Sequence, residues 1–155
     1  MPDLSKDMKA LINLLAEHGV DFAVCGGHAV AHHGYPRMTM DMDLLITPGQ
    51  PNADRMMAVL KEFGFENAGI PKEAFMREGT AVTLGVQPNQ VDLLTSISRE
   101  PTSAVMQRTV DGELAGMPLR FVGLADLIEA KRQAGRPKDL ADLDELLKFS
   151  EGQEP

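Results

Sequence analysis

The sequence contains very little of what several classes of protein require. Cys25 is the one cysteine among 155 residues, which excludes an internal disulfide framework and a cysteine-rich zinc site. There is no tryptophan, and aromatic residues make up only 5%, which argues against a surface on which nucleic-acid bases stack. No apolar run reaches the roughly 18 residues that a membrane span needs, so no membrane partner is expected.

Positive charge is also scarce, since 23 acidic residues outnumber 15 basic ones and the net charge is −8. Proteins that bind nucleic acid over a broad face usually have a basic surplus. Any anionic ligand must therefore be held locally. The N-terminal segment contains acidic residues and lacks a small-residue cleavage site, so no signal peptide is expected. A single cysteine favours a reducing cytoplasm.

The rest of the composition is that of a globular domain, with 43% apolar and 25% charged residues. We predict one domain over residues 1–150 and a frayed tail over 151–155. Apolar spacing predicts helices at 4–18, 27–33, 51–63, 123–133 and 137–149. Short runs predict strands at 21–25 and 40–47, an antiparallel meander of 74–78, 80–86 and 90–97, and a hairpin at 109–121. The expected class is α/β (α+β), a mixed twisted sheet of about five or six strands with flanking helices.

One segment, residues 25–46, indicates chemistry: CGGHAVAHHGYPRMTMDMDLLI. Gly26 and Gly27 end a strand and open a helix, so the backbone can approach a phosphate at the helix N-terminus. Asp41 and Asp43 then share one face of the next strand, with side chains about 7 Å apart. Carboxylates this close repel each other, and Mg²⁺ relieves the repulsion because it binds carboxylates together with substrate phosphates. The segment predicts a metal–triphosphate site.

A third carboxylate, Asp92, occupies the polar position of a later predicted strand, VDLL. If that strand lies beside the first, Asp92 joins the other two acids. Three carboxylates are enough to hold two metal ions for an in-line displacement at phosphorus. A β-branched residue at Gly27 is expected to block the phosphate and to resist the positive φ of the turn.

Together, the two glycines, the Asp-x-Asp pair and the later acid resemble the nucleotidyltransferase fold of the DNA polymerase beta superfamily. The fuller pattern, GGxA, then HG, then RxTxDxD, is similar to the small stand-alone bacterial nucleotidyltransferases of the AbiEii toxin type. The run from Lys131 to Leu143 also resembles the end of those domains. The lincosamide-modifying nucleotidyltransferases are similar in length and have a comparable turn and Asp-x-Asp.

This resemblance implies roles for individual residues. The glycines contact the nucleotide phosphates, and the first two acids bind Mg²⁺ or Mn²⁺. Asp92 helps to activate the acceptor hydroxyl and completes the metal-binding set. Lys131 is implied as a nucleotide contact. Arg37, two residues before Thr39, suits a phosphate contact at the entrance of the site, and Thr39 is expected to contact the nucleotide as well. Many relatives have Ser where this chain has Gly27 followed by His28, and His28 is expected to be a nucleotide contact.

The function expected from these residues is metal-dependent transfer of a nucleoside monophosphate from a nucleoside triphosphate to a hydroxyl. The acceptor is left open between an RNA end such as that of tRNA, a protein and a small molecule such as an antibiotic. A toxin–antitoxin component with an antitoxin partner is one interpretation. The alternative is a catalytically silent module of the same fold that binds a nucleotide or a partner.

The histidines and the cysteine also have structural interpretations. His28 and His32 have the i, i+4 spacing of zinc ligands, but no third ligand lies near them in the sequence. His33 is expected to pack or to form a hydrogen bond at the helix end. Cys25 is expected to be a small buried hydrophobic residue.

Overall fold

Six strands form one mixed sheet in the computed structural model, which describes residues 4–153. In chain order the strands are β1 (Phe22–Cys25), β2 (Asp41–Ile46), β3 (Ala81–Leu84), β4 (Gln90–Leu94), β5 (Val110–Leu114) and β6 (Met117–Phe121). Across the sheet the order is β3-β4-β2-β1-β6-β5. The strand number and the mixed α/β class confirm the prediction from the sequence.

Helices connect and flank these strands. They are α1 (Lys6–Glu17), α2 (Gly26–His32), α3 (Gln50–Glu62), α4 (Thr102–Gln107), α5 (Leu124–Ala134) and α6 (Pro137–Gln153). Over residues 4–153, none of them is long and apolar enough to cross a lipid bilayer. The last helix is assigned as far as Gln153, and residues 154 and 155 lie outside the described part of the chain, so fraying over 151–155 stays a prediction.

Apolar spacing explains where the first helix packs. Met8, Leu11, Ile12 and Leu15 lie on one face of α1 and are buried in the core. Ser5 caps the helix, since its Oγ accepts a hydrogen bond from the backbone N–H of Met8 at 3.2 Å. Burying each of these large apolar side chains stabilises the fold by about 1.5–3 kcal/mol. The same core covers β1, in which all four residues are buried.

The register of the central strands brings the predicted acids together. β2 pairs antiparallel with β1 and parallel with β4. In this register Asp43 lies opposite Cys25 on one side and opposite Asp92 on the other. Because β1 leads directly into α2, the two glycines lie beside the same point of the sheet. The strand of Asp92 therefore lies beside the strand of Asp41 and Asp43, as the expected role of Asp92 requires.

Two short segments differ from the prediction. Residues 74–78 do not form a strand, because Lys72–Phe75 form a 3₁₀ turn after Pro71. This turn places the side chain of Phe75 in the hydrophobic core. The predicted meander is therefore a hairpin of β3 and β4. Helix α4 was not predicted, since its six residues span less than two turns and are too few to establish a period in the sequence. The hairpin predicted at 109–121 is confirmed as β5 and β6.

Candidate active site

The glycine turn after β1 lies against the acids of β2. Gly26 has a φ of +62°, and a Cβ at this position would overlap the carboxylate of Asp43. Only glycine combines this left-handed conformation with such a close approach. Gly27 is buried, and a Cβ there would lie 2.7 Å from Thr39 Oγ1. The expected positive φ is thus found at Gly26 rather than at Gly27, because the chain bends where it must clear Asp43.

Crowding among the carboxylates changes the proton affinity of one of them. Burial raises the pKa of Asp43 to about 6, and a hydrogen bond with Asp92 together with the charges of Asp92 and Asp41 acts in the same direction. The charge of Lys138 has the opposite, weaker effect. Asp43 is therefore the carboxylate that gains most from a nearby cation.

The other two acids are held by neutral donors. Thr83 Oγ1 donates to Asp92 Oδ1 at 2.7 Å, and Gln90 Nε2 donates to the same oxygen at 3.2 Å. Gln87 Nε2 donates to Asp41 Oδ1 at 3.0 Å. Within the described residues, no three His, Cys, Asp or Glu side chains are already arranged to hold a metal ion. Asp41 has one oxygen engaged with Gln87, and Asp43 and Asp92 interact with each other.

A cleft rich in cations opens beside Asp41 and Asp43. We call it the cationic cleft, and its lining residues are Gly27, Arg37, Met38, Thr39, Met40, Asp41, Asp43, Gln87, Lys131, Arg136 and Lys138. The structure therefore brings together two of the three predicted acids and all of the predicted nucleotide contacts except Gly26 and His28. Asp92 does not line this cleft but borders it through Asp43.

A network of ion pairs holds three of these cations in place. Arg37 Nε and Nη2 each donate to Asp142 at 2.8 Å in a bidentate pair. Lys131 Nζ lies 3.1 Å from Asp142 Oδ2 and 3.3 Å from Asp139 Oδ1. Arg136 Nε donates to Asp139 Oδ2 at 2.6 Å. Because both acids belong to α6, this helix fixes one wall of the cleft.

Lys131 differs from the other cations of the cleft. It is only 7% exposed, and the two carboxylates that contact it are 1% and 2% exposed. Its charge is therefore already neutralised inside the protein. Arg136 and Lys138 are exposed and are better placed to contact an anion. Neither residue is among the site residues predicted from the sequence, although the i, i+3 spacing of Asp139 and Asp142 places both acids on one helical face.

The histidines have structural surroundings rather than ligand geometry. His28 is buried, its Nδ1 has no hydrogen-bond partner in the described chain, and burial followed by the charge of Arg37 lowers its pKa. It does not line the cationic cleft. His32 stacks on Phe121 with ring centroids 4.1 Å apart, and His33 Nε2 lies 2.7 Å from the Val122 carbonyl oxygen. The hydrogen bond expected for His33 is confirmed.

Cys25 ends β1 directly below the glycine turn. It is buried, and burial raises the pKa of its thiol, with the charge of Asp43 adding to this effect. A neutral thiol in such a place behaves as a small hydrophobic residue, as the sequence suggested.

Comparison with solved structures shows that the fold is shared with nucleotidyltransferases. The solution structure of the antibiotic-resistance factor ANT(2″)-Ia matches with a TM-score of 0.59 and 15% identity, over 92% of this chain and 80% of that one. A crystal structure of ANT(2″)-Ia in complex with adenylyl-2″-tobramycin matches with a TM-score of 0.58 and 14% identity, over 91% and 86%. An antigenic nucleotidyltransferase-like protein from Paracoccidioides brasiliensis matches with a TM-score of 0.52 and 19% identity, over 96% and 78%.

Sequence comparison adds no closer relationship. No protein-family model matches the chain, and no curated protein matches it significantly. At identities below 20%, the structural likeness establishes the nucleotidyltransferase fold. It does not by itself establish the activity, and it does not test the similarity to the AbiEii type.

The raised pKa of Asp43 predicts how stability depends on pH when no metal is present. Native Asp43 binds its proton more tightly than the unfolded chain does, so its contribution to stability is lost as the pH rises from 3.8 to about 6. We expect Asp43→Asn to be more stable than the wild type at pH 8 by about 1–3 kcal/mol. The difference should be small at pH 4. Urea unfolding in EDTA measures both values.

Asp111→Asn is the matched control, because it removes an exposed acid on β5 and should change stability equally at both pH values. If Asp43→Asn increases the free energy of unfolding by the same amount at pH 4 and pH 8, ionisation of Asp43 does not destabilise the folded protein.

Substitutions at two glycines with similar backbone conformations distinguish the cost of backbone strain from the cost of a steric clash. Gly19 has a φ of +68° and open space where a Cβ would lie, whereas Gly26 has a φ of +62° and Asp43 in that space. Gly19→Ala should cost about 1–2 kcal/mol of stability, from left-handed strain alone. Gly26→Ala should cost more, because its Cβ would also overlap the carboxylate of Asp43. Urea unfolding checks this, and equal losses of stability for the two substitutions would contradict it.

Proposed function

We propose that this protein transfers a nucleoside monophosphate from a nucleoside triphosphate to an acceptor hydroxyl. The observation that carries the proposal is the pairing of Asp43 with Asp92 on adjacent strands, beside a glycine turn and a cationic cleft. One neighbour in the comparison was solved with a tobramycin that bears an adenylyl group. A shared fold and a product of adenylyl transfer in that neighbour support the same kind of reaction here.

The chemistry of these three carboxylates suits a divalent cation, although their side chains are not already arranged around one. Asp43 has a raised pKa because it is buried and because other acids crowd it, so a cation held beside it would remove a repulsion that the protein otherwise bears. Asp41 keeps its second oxygen free of Gln87. We propose that Asp41 and Asp43 are the primary ligands of Mg²⁺ or Mn²⁺, which prefer such oxygen ligands, and that Asp92 completes the set. The metal, when bound, neutralises phosphate oxygens and the charge that develops at the reacting phosphorus.

The cations of the cleft bind the triphosphate in this proposal. Arg136 and Lys138 are exposed and face the same space as Gly27. Arg37 is oriented by its bidentate pair with Asp142 and by a hydrogen bond from Nη1 to the Met38 carbonyl oxygen. Its other two N–H groups are left for a phosphate oxygen. Gly27 leaves room for the phosphates because it has no side chain. Lys131 contributes through the two acids that it holds in position.

The carboxylate of Asp92 has the position of a general base. It is half-buried, and its Oδ1 accepts hydrogen bonds from two neutral donors, so its orientation is fixed. We propose that Asp92 accepts the proton of the acceptor hydroxyl while the hydroxyl oxygen attacks the α-phosphorus. A new P–O bond forms, the bond to the bridging oxygen breaks, and pyrophosphate leaves toward the cations of the cleft. Catalysis is then mainly positioning and charge stabilisation.

The acceptor stays open between an RNA end, a protein and a small molecule. An antitoxin partner, the AbiEii type and a cytoplasmic location also stay predictions from the sequence. The buried, protonated thiol of Cys25 is compatible with a reducing compartment but does not require one.

Incubation with labelled nucleoside triphosphates tests the activity. The purified protein, Mg²⁺ or Mn²⁺, and each α-labelled triphosphate are added to fractionated lysate, and labelled RNA, protein and small molecules are separated. We expect label in one fraction, release of pyrophosphate, and loss of both with EDTA. If the protein binds ATP by calorimetry but labels nothing, the catalytically silent module is the better assignment.

Substitution of Asp43 and of Asp92 should affect ATP binding and the rate of transfer differently. Asp43→Asn should abolish metal-dependent ATP binding, because an amide is a poor replacement for a carboxylate on Mg²⁺. Asp92→Asn should keep ATP affinity while transfer, or pyrophosphate release, falls by about 10²–10⁴-fold. ATP titrations and rate measurements on both variants and on Asp111→Asn check this. If Asp92→Asn loses ATP binding as fully as Asp43→Asn, Asp92 is a primary metal ligand rather than a base.

A further inference from the structure

A pocket lies on the face of the sheet opposite the three acids. We call it the rear pocket, and its lining includes Leu84 and Val91, which are paired across β3 and β4. Side chains alternate along a strand, so Val91 points away from the face that carries its neighbour Asp92. The other walls come from α1 and from the chain that follows α3. The rear pocket shares no lining residue with the cationic cleft and is a separate site.

The size of the rear pocket restricts its ligands. Its volume is about 270 Å³, just below the range of about 300–1,000 Å³ that is usual for drug-sized ligands. An apolar cavity of about 150 Å³ already accepts benzene. The rear pocket therefore has room for one ring with a short chain attached to it, rather than for a nucleotide.

Two phenylalanines give the rear pocket an aromatic wall. The rings of Phe63 and Phe65 are nearly parallel, at 15°, with their centroids 5.7 Å apart, and both residues are partly buried. Phe65 folds back onto the end of α3, since its N–H donates to the Leu60 carbonyl oxygen at 2.8 Å. Partly exposed aromatic faces attract cations as well as apolar groups.

The charge at the rear pocket selects the sign of its ligand. Asp7, an exposed acid in the first turn of α1, is the one charged side chain among the described residues that line it. The net charge of −8 also favours the approach of a cation over that of an anion. An aromatic wall and a carboxylate together suit a ligand that has an apolar ring and a positive charge.

The turn between β3 and β4 connects the rear pocket with the acids. Gly85 and Asn89, at the two ends of this turn, line the pocket. Gln87, between them, lines the cationic cleft and donates from Nε2 to Asp41 Oδ1 at 3.0 Å. A hydrogen bond of 2.8 Å from the Asn89 N–H to the Val86 carbonyl oxygen closes the turn. A ligand that packs against the ends of the turn therefore holds it in the conformation in which Gln87 engages Asp41.

We propose that the rear pocket is a regulatory site for a small organic cation, a single apolar ring that bears a protonated amine. Its occupancy opposes metal binding, because a metal ion on Asp41 competes with the hydrogen bond from Gln87 that the ligand helps to maintain. Binding of the cation does not depend on the proposed function, whereas its effect on the metal rests on the role proposed for Asp41. By linkage, the metal weakens binding of the cation by the same factor.

Three ligands of similar shape test the rear pocket, namely phenethylamine, the uncharged phenethyl alcohol and the anionic hydrocinnamate. Amide NMR titrations should show shifts at Met8, Gly85 and Asn89, with a Kd for the amine of about 1 mM or lower. The amine should bind about 3–10-fold more tightly than the alcohol, and the anion should bind most weakly. No localised shifts at about 10 mM amine, or equal affinities for amine and alcohol, would overturn the proposal.

Two substitutions distinguish the contribution of the charge from that of the rings. Asp7→Asn should weaken amine binding by about threefold or more and leave binding of the alcohol unchanged, because it removes only the charge. Phe65→Leu keeps apolar bulk but lacks an aromatic face, so it should weaken the amine more than the alcohol. Asp111→Asn is the matched control, an exposed acid on β5 at the other edge of the sheet, and should change neither affinity. Thermal melting confirms that each variant is folded, and wild-type amine affinity in Asp7→Asn would refute recognition of the cation.

Calorimetry with Mn²⁺ tests the regulatory effect. Saturation with phenethylamine should weaken Mn²⁺ binding by about fivefold or more. Gln87→Ala should abolish this effect and leave amine binding intact, since the variant lacks the hydrogen bond to Asp41. An unchanged Mn²⁺ affinity in the presence of the amine would overturn the regulatory role. If Mn²⁺ binds neither with nor without the amine, the metal site of the proposed function fails, and the NMR titrations still decide whether the rear pocket binds the cation.

Discussion

The carboxylates of Asp43 and Asp92 face each other across two neighbouring strands, and burial makes it costly to ionise both. The sheet cannot relieve this repulsion by sliding. A shift of one residue would turn Asp92 to the other face and would expose Val91 and Leu93, which are buried. The charge must therefore be balanced from outside the sheet, and the surrounding cations lie where that balance is needed.

Those cations depend in turn on a second set of acids. Asp139 and Asp142 are almost completely buried, and each contacts two basic side chains. Removing one partner of such a network leaves an uncompensated buried charge, which typically costs about 3–5 kcal/mol. The wall of the cationic cleft is thus rigid because its own charges are paired. Arg37 and Lys131 therefore keep their positions without a ligand, and in the proposed function the phosphates meet an arginine that is already oriented.

Sequence reasoning found the parts of the site that are local. The alternation of β2 places Asp41 and Asp43 on one face, and the role of Asp92 required only that its strand be a neighbour. The pair of Arg37 with Asp142 joins residues 105 positions apart, and no local pattern predicts which acid a given arginine meets. The positive φ was expected at Gly27 and lies at Gly26, because the position of Asp43 decides where the turn must bend.

The order in which the chain is synthesised determines when the ion-pair network can form. The ribosome makes all six strands and the three sheet acids before it reaches α6. A nascent chain at that stage can pair its strands, yet Arg37 has no carboxylate to orient it and Lys131 has neither of its two partners. The basic wall is completed only when Asp142 has left the exit tunnel. The acids of the sheet are thus in place before the cations that face them can be oriented.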